Sequence, residues 1–136
     1  MIEIMTNKSE NIILEKREFQ IIKELIAPIV DSPNLLNKCI TRLKREMDKA
    51  IVLDENDFPA ETIRMNSIVD IQTPYGDMKL QLVFPEHTNS AQKKISLLTP
   101  MGSGLIGYSV GDEILWHFPQ GEQIIKIIKV TASEFA

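Results

Sequence analysis

The chain has 136 residues, 43% of them hydrophobic and 25% charged, with one cysteine and a formal charge of −4. That is enough for one compact domain plus at most a small appendage, and its apolar content is that of a globular rather than a disordered chain. It contains no apolar run of the roughly 18–20 residues that a membrane helix needs.

One cysteine excludes an internal disulfide and fits a reducing, cytoplasmic setting. Residues Met1 to Lys8 lack the basic-then-apolar order of a secretory signal. The acidic balance argues against a domain whose main work is wrapping nucleic acid. The charge is uneven: residues 1–53 carry nine basic against eight acidic groups, a net of +1, and residues 54–136 carry six against eleven, a net of −5. The division falls at the polar, proline-closed stretch 54–59, Asp54 to Pro59, which reads as a linker.

The first predicted helix runs from Glu15 to Ile29, with Phe19, Ile22, Ile26 and Ile29 on one face and Ile21 and Leu25 widening the stripe. Pro28, Asp31, Ser32, Pro33 and Asn34 break it. A second helix is expected from Leu35 to Leu53, with Leu36, Ile40, Leu43 and Met47 as its seam and Ala50 and Ile51 continuing it. Two such helices with a short break fold back as an antiparallel pair. At 1.5 Å per residue each is about 25 Å long, a short finger over residues 1–53 that leans on the rest of the chain. Lys38, Arg42, Arg45 and Lys49 form a basic stripe about 200° round the second helix from its seam. Such a stripe is either a solvated helix back or a surface that runs beside phosphate or an acidic protein channel.

After the linker the period becomes two, over residues 60–136. Strands are expected at Ser67–Thr73, at Met78–Phe84 with Met78, Leu80, Leu82 and Phe84 inward, and at Lys94–Thr99. Two more follow at Glu113–Phe118, with Ile114, Trp116 and Phe118 on one face, and at Glu122–Thr131. Pro74-Tyr75-Gly76-Asp77 and Pro119-Gln120-Gly121 are turns. Met101 to Gly107 has room for one helical turn, with Gly107 or Gly111 supplying the positive φ that leaves it. The fold class is therefore α+β: a short helical hairpin followed by an antiparallel-rich sheet with one short helix.

Signals for chemistry are sparse. His87 and His117 have no ligand cluster around them, so no metal is expected. Cys39 lies beside Ile40 on the second helix and reads as a structural thiol. Gly102, Gly104 and Gly107 match G-x-G-x-x-G, but no full helix follows and the flanking strands are antiparallel, so the phosphate-loop context fails. Asp31 is a lone acid near the hairpin tip. No cofactor, small-molecule substrate or membrane contact is expected.

The run from Ile95-Ser96-Leu97-Leu98-Thr99-Pro100-Met101 through Gly102-Ser103-Gly104-Leu105-Ile106-Gly107, then Gly111-Asp112-Glu113-Ile114 and Pro119-Gln120-Gly121-Glu122, resembles the C-terminal domain of the Gre transcript-cleavage factors. The resemblance implies an FKBP-like body behind a coiled-coil finger, with RNA polymerase as the partner. It also implies nucleic-acid contact only through the transcription complex. Leu98, Thr99, Pro100 and Met101 stand where that family docks on polymerase. The finger here is shorter than the family's and offers Asp31 where the family has an acidic pair. It looks most like the short-fingered, Rnk-like branch, whose members bind polymerase without stimulating cleavage. The resemblance thus favours a non-enzymatic elongation regulator over cleavage stimulation through Asp31. An FKBP-type prolyl isomerase would need an open aromatic pocket drawn from Tyr75, Tyr108, Trp116 and Phe118, and fold likeness alone is a poor warrant for one.

Overall fold

The computed structural model describes residues 11–29, 34–118 and 121–132; Asp31 and part of the Pro119-Gln120-Gly121 turn lie outside them. The chain enters through strand β1 (Ile13–Glu15) and helix α1 (Lys16–Ile26). Glu15 caps α1, its Oε1 accepting the Glu18 N–H at 3.0 Å. The helix closes at Ala27, whose N–H donates to the Lys23 carbonyl, and Pro28 follows. Helix α2 (Leu35–Met47) starts on an Asn34 cap, with the Asn37 N–H donating to Oδ1 at 2.8 Å.

The second helix stops at Met47 rather than Leu53, because Ile51–Leu53 forms strand β2, paired in parallel with β1 in the register Ile13↔Ile51. The β-branched Ile51 and Val52 favour this extended conformation. The two helices, of 11 and 13 residues, are about 16–20 Å long, shorter than the 25 Å that periodicity predicts.

The body is a five-stranded sheet of β3 (Ile68–Thr73), β4 (Gly76–Val83), β5 (Lys94–Ser96), β6 (Glu113–Phe118) and β7 (Gly121–Thr131). Its order is β5-β4-β3-β7-β6, antiparallel throughout except for the parallel β4–β5 pair. The short helix α3 (Pro100–Leu105) follows β5. All five predicted strands and the helical turn are present. The third strand ends at Ser96 rather than Thr99, because Thr99 is taken up as the cap of α3.

Two face assignments change. Met78 is exposed, at the turn end of the β3–β4 hairpin, whereas Val83, at the end that meets β5, is fully buried. In β7, Ile125 and Ile127 are buried in regular alternation, and a register shift opposite Asp70/Ile71 falls just after them, leaving Ile128 and Lys129 both exposed. Ile114 and Trp116 are buried as expected; the Phe118 side chain lies outside the described residues.

Finger and body share one hydrophobic core. Ile12, Leu14, Ile22, Ile40 and Leu43 belong to the same buried cluster as Val69, Leu82, Leu105, Ile114 and Ile125. Gly107, at φ +85°, is required where they meet, since a Cβ there would lie 2.6 Å from Ile12 Cβ. The stretch 54–59 does not run free either. Glu55–Asp57 makes a 3₁₀ turn, and Glu55 Oε1 accepts from Arg17 Nη2 at 2.6 Å.

Candidate functional site

The β5–α3 corner is built by a tight hydrogen-bond relay. Leu97 is fully buried, and its N–H donates to the Val83 carbonyl, which pins the corner to β4. Ser96 Oγ accepts the Leu98 N–H at 2.9 Å, and the Ser96 carbonyl accepts from Thr99 Oγ1 at 2.7 Å. Thr99 Oγ1 in turn accepts the Gly102 N–H at 3.0 Å, so one hydroxyl both ties the loop back and caps the helix. Pro100 occupies the first helical turn, where its missing N–H costs nothing. The outcome is a rigid corner on which Leu98, Thr99, Pro100 and Met101 are all half-buried. Leu98 and Met101 root in the core and present the rest of their surface outward, as a protein-binding ridge would.

The glycines of this segment serve packing. A Cβ on Gly102 would collide with the Ser96 carbonyl oxygen, and one on Gly104 would lie 2.8 Å from Trp116 Cζ3. Their spacing therefore reflects close approach to backbone and indole. With six residues, α3 also lacks the length of a phosphate-binding helix.

The basic stripe does not run clear of the body. Lys38, Arg45 and Lys49 are exposed, but the Arg42 side chain is only 12% exposed and lies against α3 at Gly104. Arg42 Nη1 donates to Glu46 Oε1 at 3.3 Å, and Glu46 Oε2 accepts from the buried Tyr108 hydroxyl at 3.1 Å. Arg42 Nε and Nη2 find no hydrogen-bond partner among the described residues. Burial, with the Glu46 charge beside it, pushes the Tyr108 hydroxyl well above its ordinary pKa. Cys39, on the same side of α2, is buried, and burial raises its thiol too, in keeping with a structural role. Helix α3 thus brings the predicted stripe and the predicted docking corner together through Arg42.

A second junction has no local sequence signal. Glu18 Oε2 accepts from Arg64 Nη2 at 2.6 Å and Nε at 3.0 Å, and Glu18 Oε1 accepts the Met65 N–H at 3.1 Å. The Arg64 guanidinium also lies 5.3 Å from the centre of the Phe58 ring. Burial pushes the Glu18 carboxyl upward against the opposing pull of Arg64. For Glu15, burial is outweighed by the Glu18 N–H and Arg17, and its carboxyl is held below the ordinary range. These residues fix the angle at which the finger leaves the body. Only the Glu15-x-x-Glu18 spacing at the helix start is visible in the sequence; Arg64 lies 46 residues away.

Other candidates separate. Tyr108 and Trp116 are buried and Tyr75 is 54% exposed at the β3–β4 turn, so these three rings line no common pocket. Among the described residues no group of three or more His, Cys, Asp or Glu is placed to hold a metal ion. His87 closes a 3₁₀ turn at Pro85–His87. Among the described residues no helix is long and apolar enough to cross a membrane.

Residues 58–132 match the family described as "Transcription elongation factor, GreA/GreB, C-term". Over 81 residues the chain is 31% identical to the regulator of nucleoside diphosphate kinase of Escherichia coli (strain K12), covering 58% of this chain and 60% of that protein. It is 30% identical over 95 residues to transcription inhibitor protein Gfh1 of Thermus thermophilus, covering 67% of this chain and 60% of that protein. The alignments thus span about 60% of the length of these relatives. The solved structure of a prokaryotic transcription elongation factor GreA/GreB from Nitrosomonas europaea superposes with a TM-score of 0.74 at 28% identity, covering 90% of this chain and 99% of that one.

Proposed function

Because the chain belongs to the GreA/GreB transcription elongation factor family, we propose that it is a cytoplasmic RNA polymerase-binding regulator of elongation that catalyses no transcript cleavage. Its body docks near the rim of the polymerase secondary channel through Leu98, Thr99, Pro100 and Met101, and the short finger occupies the entrance. Asp31, between the two helices in the sequence, takes no part in chemistry. Lys38, Arg45 and Lys49 face the acidic wall of the channel, and contact with nucleic acid is made through the complex. The chain works by excluding longer-fingered factors from the same place.

The observation that carries this reading is the β5–α3 corner. It lies within the family-matched segment 58–132 and holds a half-buried apolar ridge rigid through Ser96 and Thr99. The finger length supports it: a 13-residue α2 reaches about 20 Å, a short probe for a deeply placed catalytic centre. The names of two relatives, a regulator and a transcription inhibitor, agree with a factor that modulates without cleaving.

The test is co-purification of the intact chain with core RNA polymerase at moderate salt. The chain is expected to bind, and Leu98→Glu with Met101→Glu is expected to abolish binding while the far-UV spectrum is kept and the melting transition, lowered because both side chains pack partly on the core, stays cooperative. Absence of binding by the native chain, or unchanged binding by the double variant, overturns the reading.

A further inference from the structure

The side of the finger turned away from the body carries a surface that docking through the β5–α3 corner does not use. Glu18, Arg42 and Glu46 mark the body-facing side of the two helices. Lys44 lies two residues beyond Arg42, about 200° round α2. There, Phe19, Lys23, Ile26 and Ala27 of α1 and Lys44, Met47 and Asp48 of α2 line an open groove of about 450 Å³. Ile26 and Met47 are its buried floor, Phe19 is a half-buried wall, and the small, exposed Ala27 lines its edge.

The rim is cationic on both sides. Lys44 Nζ donates to the Ile29 carbonyl at 2.6 Å, which holds its ammonium above the groove and completes the C-terminal end of α1. Lys23 faces it from the last turn of α1, so an ammonium stands on each helix, with Asp48 the single acid among the described lining residues. An apolar trough with lysine stems for walls and ammonium groups at the rim fits one chemistry best: a bulky apolar side chain on a helix that carries carboxylates one turn away. A third helix laid in the groove between two packed helices also has the geometry of a small bundle.

We propose that the α1–α2 groove is a docking site for an acidic amphipathic helix of a protein partner, separate from the β5–α3 corner. Nucleic acid is the poorer fit, because two lysines over an apolar floor offer few phosphate contacts and Phe19 is packed against the core rather than free to stack.

The test uses the intact chain, labelled with ¹⁵N, titrated with a 16-residue helical peptide bearing Phe and Leu on one face and Glu at i±4. The expected result is saturable shifts centred on residues 19–27 and 44–48. Lys23→Glu is expected to weaken the complex at least about fivefold by reversing one rim charge. Ala27→Leu, which adds apolar bulk without removing a contact, is expected to block it while the melting transition holds. A peptide with Lys in place of each Glu is expected not to bind. Shifts that map elsewhere, binding by Ala27→Leu equal to the native chain, tighter binding of a single-stranded RNA 12-mer at the same residues, or self-association that covers the groove would each overturn the proposal.

Discussion

Replacing Arg64 with methionine tests whether the finger is held at a fixed angle by its junction with the body. The substitution keeps an apolar stem but removes the guanidinium that lies over the Phe58 ring and gives Glu18 Oε2 two hydrogen bonds, at 2.6 and 3.0 Å. What is left is a carboxylate whose side chain is 14% exposed, with the Met65 N–H still donating to its other oxygen. Breaking a fully buried pair by removing one partner costs about 3–5 kcal/mol. Arg64 is 25% exposed, so water recovers part of that, and about 2–3 kcal/mol is expected. With an unfolding entropy of about 2.1 cal/mol/K per residue over this chain, the melting temperature should fall by about 7–10 °C. Urea denaturation should show a lower midpoint at unchanged slope. Glu18→Gln should cost less, since burial already pushes that carboxyl toward its neutral form, and the double variant should be less damaging than the sum by about 1 kcal/mol or more. Additive effects within about 0.5 kcal/mol, or a loss under about 1 kcal/mol for Arg64→Met, would refute the junction as a coupled pair.

Three further outcomes follow from the geometry. Gly102→Ala should destabilise more than Gly104→Ala, because the first Cβ meets the Ser96 backbone carbonyl and the second meets a Trp116 ring edge that can shift; the second should cost about 1–3 kcal/mol. Equal losses in denaturant melts would contradict this ordering. Cys39 should resist a thiol reagent such as Ellman's in the native state and react fully in urea, since it is buried and its thiol pKa is raised; prompt native reaction would place it at the surface. Glu15 has its pKa lowered from the ordinary 4.5, so its contribution to stability is present above pH 4.5 and is lost as pH falls through the lower folded value. Glu15→Gln should therefore be less stable than the native chain at neutral pH, with the gap closing in acid; a gap independent of pH would show that Glu15 acts only through packing.

Patterns that repeat over six or more residues were legible in the sequence. Alternation marked β4 and β6, the seam Leu36, Ile40, Leu43, Met47 marked α2, and Met101 to Gly107 marked α3 as a single helical turn. What the pattern missed is non-local. β1 and β2 are three residues each, pair across a gap of 38 positions, and look like helix ends because their apolar residues fall in phase with the helical stripe. Val83 is buried on the nominally polar face because the short β5 and the corner after it cover the end of β4. Arg42 sits in phase with three exposed basic residues, and only the position of α3 decides that it is packed. The β5–α3 corner was legible as a motif, since its residues are contiguous, whereas the Glu18–Arg64 junction joins groups 46 residues apart.

The most direct measurement is competition for core RNA polymerase between the intact chain and a cleavage-competent Gre factor, read together with cleavage of arrested transcripts. The chain should displace the Gre factor in a dose-dependent way and suppress its cleavage, adding none of its own, and Asp31→Ala should behave as the native chain does. Failure to displace at any concentration would contradict the account, as would cleavage above background that Asp31→Ala abolishes.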